Sequence, residues 1–439
     1  VIPPGPRGYP VVGVGPDLVR DLVGTFTTAW RDHGDIVSFP LPGKRKMMLV
    51  THPDYIKHVL EDRQPNYPKD PLSVGKFVPF VGQGLFTSNG DFHFRQRRLA
   101  QPAFRGARIG QFAPVMVSST SEQIRQWPSG STMDITSEMM RLALTIVMRT
   151  LFGADVSARA GEIAAAVRTC NAYVNTQLQR FIELPPLPTR PRRRFLAARK
   201  LLDEFVYGLI ASRKPGGDDL LSLLLGARDE KTGERMSPRQ IRDEVVTIFL
   251  GGYETTALSL VWTFALLSRH PEVEQRARAE IADVIGDRDP TSDDLPRLGY
   301  LRAVFSEALR LYPSVWTLSR SPIEDDVIGG YDIPRGAQVF ISPYLVHRHP
   351  EFWDNPEAFD PSRFTEGVKR PRYAYIPFSR GPRLCPGSSI ALLEAPLVIA
   401  RILQDYRLTV APGHLCEPTS NVFLYPRGGM PMRVEKVTS

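Results

Sequence analysis

The run Phe378-Ser379-Arg380-Gly381-Pro382-Arg383-Leu384-Cys385-Pro386-Gly387 carries one cysteine through a stiff Gly/Pro turn to the start of a helix expected over about 387–405. Free amides and the positive dipole end at a helix N-terminus favour a thiolate. Arg383 adds a cation two residues earlier. Three uses fit such a sulfur. It is an inert core thiol, or a nucleophile, or a single axial thiolate to haem iron. A nucleophile needs a positioned base, and His347 and His349 upstream are distant in sequence. An axial ligand needs no second protein group. The other cysteines, Cys170 and Cys416, are too scattered for a disulfide framework or a zinc site. A reducing, cytoplasmic compartment is expected.

A second chemical group lies in Val245–Ser268, where Glu254 is the lone charge, within Gly251-Gly252-Tyr253-Glu254-Thr255-Thr256. The stretch is long enough to span a bilayer, but a central carboxylate there is costly. A helix buried at the centre of a large protein is the better expectation. Thr255 lies four residues after Gly251, so its hydroxyl can bond that carbonyl and open the helix. The glycine pair leaves room beside the backbone. Elsewhere His93 and Arg97 share a helix face at i,i+4. Glu307 and Arg310 stand at i,i+3 on a helix of about 297–312, opposite Leu301, Val304, Phe305, Ala308 and Tyr312. A solvated ion pair is the plainer reading of that pair.

These groups need a large frame. The chain has 439 residues, and its Lys+Arg 55 against Asp+Glu 47 leave a net charge of +8. With 42% hydrophobic and 23% charged residues it is neither disordered nor a membrane bundle, and no basic tract interleaved with aromatics suggests nucleic acid. Its 40 prolines exclude an uninterrupted coiled coil. The Pro/Gly-rich start at Val1 does not itself read as a charged-then-apolar signal, and no signal peptide is expected. A hairpin is expected over 35–50, a helix from His52-Pro53-Asp54 to Leu60, and a long functional loop over 64–90. From 91 to about 310 the pattern is helical, with breaks at Pro128, Pro185–Pro191, Pro215-Gly216-Gly217 and Asp289-Pro290. Strands return at 326–345, a loop-rich region follows over 347–384, and a hairpin ends the chain. The expected class is mainly α with a small β region, and one interlocked domain over 1–439, because both ends of the sequence feed the strands.

The spacing Phe378-x-x-Gly381-x-Arg383-x-Cys385-x-Gly387 resembles the haem-thiolate signature of the cytochrome P-450 superfamily. Separate matches fall in the family's order over residues 90–390. Glu307-x-x-Arg310 is similar to its structural Glu-x-x-Arg pair, and Phe359-Asp360-Pro361-Ser362-Arg363-Phe364 supplies the partner arginine, Arg363, with serine where relatives often carry Glu. Gly252-Tyr253-Glu254-Thr255 looks like the Gly-x-acid-Thr of an oxygen-activating helix. His93-x-x-x-Arg97 resembles a propionate-binding motif in its His form.

The resemblance implies the P-450 fold, with iron protoporphyrin IX (heme b) held through Cys385 between the oxygen-activating helix and the helix after the cysteine loop. His93, Arg97, Arg320 and Arg383 would hold its propionates, with Gly251, Phe378 and Gly387 beside it. Glu254 and Thr255 would manage protons. The implied reaction inserts one oxygen atom of O2 into a lipophilic small molecule, with a terpenoid or other secondary-metabolite intermediate favoured and a fatty acid or polyketide open. A haem-thiolate isomerase or peroxygenase, or a non-catalytic haem sensor, would keep the same ligand. Gly13-Val14-Gly15-Pro16 lacks a dinucleotide fingerprint, so electrons are expected from a ferredoxin and its NAD(P)H-dependent reductase, docking on Arg95, Arg98, Arg105 and Arg380 of a monomer without a membrane span. Substrate contacts carried over by position are Phe77, Val78 and Phe80, the helices flanking Pro185, Thr247–Gly251, Ser314–Leu318 with Val315 and Trp316, and Phe423. No ion among them is suited to holding a charged substrate.

Overall fold

The Pro238–Arg269 helix organises the molecule. Ser237 and Gln240 close a reciprocal capping box, with Pro238 in the first turn, so local sequence fixes the start. In a computed structural model of the chain, which describes residues 1–439 apart from 44–45, 105–108, 156–158, 181–186, 218, 230–231, 366–368, 421 and 438–439, this helix is sheathed by others. Within it the most apolar window is 78% buried, as expected of a core helix. It packs most extensively on the Ile135–Leu151 helix. A Cβ on Gly252 would come within 3.1 Å of Val147 there, so this glycine serves close helix packing. Thr255, Thr256, Ser259 and Thr263 all bond carbonyls one turn back, which bends a helix.

The small β region draws on both ends of the chain. Strands β1 (Ile36–Pro40) and β2 (Lys46–Val50) form the expected hairpin. Further along come β3 (Ser131–Asp134), β4 (Leu318–Arg320), β5 (Asp326–Ile328), β6 (Tyr331–Ile333) and β7 (Gln338–Ile341). The last four are β8 (Tyr406–Val410), β9 (Pro418–Ser420), β10 (Leu424–Pro426) and β11 (Pro431–Lys436). The largest sheet has the order β1-β2-β7-β4. Its β2 and β7 run parallel with Leu49 opposite Phe340. β3 pairs with β11, and β8 flanks β11 on its other side.

Several expectations need correction. After the break expected at Pro128 comes a strand, β3, that the helical reading of 91–310 did not include, because its partner lies some 300 residues away and no local pattern marks a four-residue strand. Segment 64–90 is not loop throughout: Asp70 caps a one-turn helix at Pro71–Gly75 and a second follows at Val78–Val81. The break expected at Pro185–Pro191 falls between the Ala160–Leu178 and Arg190–Ser212 helices, with Pro191 in the first turn of the second, where its missing N–H costs nothing. Pro185 and the segment around it lie outside the described residues.

Candidate functional site

The cysteine loop is held by backbone geometry. The Cys385 amide donates to the Phe378 carbonyl at 3.0 Å, closing the turn. Gly381 has φ +72, and a Cβ there would stand 2.3 Å from the Leu60 carbonyl, so glycine is required where the loop crosses the 58–62 turn. The Ser388–Asp405 helix follows at once. Amides of Gly387 and Ser388 point at the sulfur and favour its thiolate, although burial acts more strongly and raises the thiol's pKa.

Cys385 lies in the wall of a cavity of about 690 Å³ that extends to Gly251 and Thr255 of the long helix. His93, Arg97, Arg320, Phe378, Arg383 and Gly387 share this wall. Three buried polar atoms here, His93 Nε2 and Arg383 Nε and Nη1, have no partner in the protein. Arg320 is buried, its pKa lowered to about 10 by burial and then by Arg383. His93 is held down to about 3 by burial and then by Lys69. A site lined by a cysteine sulfur, unpartnered donors and crowded cations fits an anionic cofactor with a thiolate-bound metal.

On the opposite wall, a Cβ at Gly251 would meet nothing within 4 Å, so it is this glycine, not Gly252, that leaves space beside the helix. Thr255 Oγ1 donates to the Gly251 carbonyl at 2.6 Å. Glu254 is placed differently from its neighbour. It does not line the cavity but points to the Ala160–Leu178 helix, where Asn171 Nδ2 donates to its Oε2 at 2.6 Å. Burial pushes its carboxyl up to about 8.

Among positional substrate residues, Phe77, Val315, Trp316 and Phe423 line the cavity, as do Thr247 and Gly251. Val78 and Phe80 do not. Each residue of the one-turn Val78–Val81 helix is rotated about 100° from the last, so Val81 faces in and Phe80 turns to the core. Beyond the residues carried over by position, Arg20, Asp21, Arg180 and Arg427 also line the cavity, all from exposed positions.

Glu307 and Arg310 are wholly buried, so the solvated reading of this pair falls. Arg310 makes two bonds to Glu307 and three to the carbonyls of His347, Pro356 and Ala358. Arg363 approaches Glu307 at 3.5 Å. Of the docking arginines, Arg95 and Arg98 are already paired with Asp229, Arg380 reaches the Tyr375 carbonyl, and Arg105 lies outside the described residues.

Three residues escaped the sequence reading. Asn171, buried, and Lys69, part-buried, carry no local signal. Glu394 does: it is the lone charge in Ile390–Ala400 of the cysteine helix, lines the cavity, and burial raises it to about 8.

A family model for cytochrome P-450 matches residues 3–430. The chain belongs to the cytochrome P-450 family. It is 36% identical to cyclooctatin synthase of Streptomyces melanosporofaciens over 95% of this chain and 92% of that protein. Pentalenene oxygenase of Streptomyces avermitilis is 33% identical, covering 96% and 94%. A plant relative, 11-oxo-beta-amyrin 30-oxidase of Glycyrrhiza uralensis, is 30% identical over 91% and 80%. This P-450 is a monooxygenase of mainly α fold with small sheets. Members of its family carry a haem-thiolate centre and use O2 and redox partners.

Proposed function

We propose that this P-450 places one oxygen atom of O2 on a neutral terpenoid hydrocarbon or a similar lipophilic intermediate, with electrons from a separate ferredoxin and NAD(P)H-dependent reductase in the cytoplasm. The observation that carries this reading is the two-sided cavity, with a cysteine sulfur, unpartnered donors and crowded cations on one wall and Gly251, Thr255 and apolar side chains on the other. Bound through Cys385, haem b would supply the activation of O2, its thiolate ligand favouring O–O cleavage. The Gly387 and Ser388 amides tune the sulfur, while His93, Arg97, Arg320 and Arg383 receive the propionates. Thr255 holds a proton at Oγ1, already oriented by the Gly251 carbonyl. Glu254, protonated near neutrality, is a proton store behind it. Phe77, Val315, Trp316 and Phe423 exclude water and orient an apolar substrate. The relatives named for cyclooctatin and pentalenene support the terpenoid class.

Two measurements test this reading. Cys385→Ser should abolish the thiolate-type Soret band of the ferrous–CO complex; an unchanged band refutes the ligand. Reconstitution with ferredoxin, reductase and NADPH should oxidise a bound terpene. Turnover with peroxide alone would favour a peroxygenase, and ligand-induced spectral shifts without any turnover would favour a sensor.

A further inference from the structure

Lys69 is a part-buried lysine whose ammonium has no carboxylate at hydrogen-bonding distance among the described residues. Its side chain lines the cavity, and Nζ donates to the carbonyls of Leu85 and Ser88 at 2.5 and 3.1 Å and approaches His93 Nδ1 at 3.4 Å. Its backbone is fixed twice over. It forms an isolated antiparallel bridge with Arg320, and the Asn89 side chain both accepts from its amide and donates to its carbonyl. Lys69 and Arg320 are therefore directly opposed across a bridge, Arg320 buried and Lys69 part-buried, both cationic. Like charges in that arrangement destabilise a sheet. Burial, then Arg383 and Arg320, hold the Lys69 ammonium well below its ordinary range, with Glu244 acting in the other direction.

We propose that Lys69 is a further cofactor-binding residue, one that meets a haem propionate while its other two hydrogen bonds tether the Leu85–Ser88 segment. This rests on the haem-binding reading above. Two carboxylates arriving among Lys69, Arg97, Arg320 and Arg383 remove the repulsion that the protein alone leaves in place. The same arrangement joins cofactor and substrate walls. Leu85, which lines the cavity, has its carbonyl held by Lys69 and its amide held by Glu244 Oε2 at 3.0 Å. One cation thereby serves both the anion and the roof of the cavity.

The test compares holoprotein of the wild type, Lys69→Met and Lys69→Arg. The wild-type Soret spectrum establishes that haem is bound, so failure there counts against the underlying reading and not against Lys69. With haem bound, Lys69→Met should shift the propionate-bending band in resonance Raman and lower the ferric/ferrous potential. It should also release haem to apomyoglobin about tenfold faster, the loss of roughly one charge-assisted hydrogen bond. Lys69→Arg should restore the haem-release rate. If Lys69→Met weakens ligand binding while the Raman band, potential and release rate stay at wild-type values, Lys69 is only a loop tether and the proposal is overturned. Should Lys69→Met not accumulate, the Raman band of Lys69→Arg decides: unchanged from wild type, it overturns the proposal, because a guanidinium cannot meet the carboxylate identically.

Discussion

Replacing Glu254 by Gln should leave stability nearly unchanged only below the carboxyl's ordinary value of 4.5 and raise it progressively above that, by about 2 kcal/mol at pH about 6 and about 5 kcal/mol at pH about 9. The carboxyl is buried, and burial lifts it from its ordinary 4.5 to about 8. A folded state that binds a proton more tightly than the unfolded state loses stability as pH rises between those two values, by about 1.4 kcal/mol per pH unit. Below the lower value the term vanishes, and above the upper one it levels off. From pH about 6 to about 9 the wild type should lose roughly 3 kcal/mol through this one residue. Gln does not titrate, so the loss disappears in the variant. Nor should the substitution cost much at the acid end. Asn171 Nδ2 already donates to Glu254, and Asn171 Oδ1 is buried without a partner. An amide at 254 can therefore accept from one and donate to the other, as a protonated carboxyl can. Urea midpoints of the two haem-saturated proteins at both pH values give the comparison. Glu394 and Glu244 titrate with the same sign but are common to both proteins. Equal pH dependence in Glu254→Gln and wild type would show that Glu254 ionises freely when folded, and the proton-store role would go with it.

Two further outcomes are expected. Thr255→Ala should uncouple NADPH consumption from product by roughly tenfold while Thr255→Ser retains coupling, since only the hydroxyl held by the Gly251 carbonyl differs; tight coupling in the alanine variant would remove Thr255 from proton delivery. Arg310→Lys leaves at most three donors for the five hydrogen bonds the guanidinium makes, so at least two buried acceptors lose partners. That should cost about 3 kcal/mol or more, and a denaturation midpoint matching wild type would contradict the argument.

What could be read from sequence was whatever chemistry imposes locally. The cysteine turn needs Gly381 because a carbonyl passes 2.3 Å from its missing Cβ, and Thr255 needs a carbonyl one turn back. Both constraints act within a few residues and leave a spacing. The long helix announces its start through Ser237-Pro238 and Gln240 and its burial through a run with one charge. Long-range pairings leave no spacing. β3 exists because β11 lies beside it, Asn171 matters because two helices cross at Glu254, and Lys69 looks like any loop lysine until the bridge sets it against Arg320. Glu307 and Arg310 show how a helical pattern misleads: periodicity places them opposite an apolar face, but the Pro361–Phe364 turn covers that side as well. Glu394 was legible by the rule that found Glu254, a lone carboxylate in an apolar helix.

Charge placement also bears on the substrate. Inside the cavity the cations are grouped on the cysteine wall, where two propionates would neutralise them, and the Glu394 carboxyl is largely protonated at neutral pH. The apolar wall around Phe77, Val315 and Phe423 thus offers no net charge to an incoming molecule. At the mouth the exposed ions are Arg180, which bonds Gln177, and Arg427, which is paired with Glu417. A fatty acid would have to leave its carboxylate there and send its chain inward, which fixes oxidation far from the acid group and makes its binding fall with salt. A polycyclic hydrocarbon enters whole, binds independently of salt, and is oriented by shape alone. Salt dependence of the spectral shift therefore separates these two classes before any product is identified, and the grouping of cations on the cysteine wall favours the salt-independent outcome.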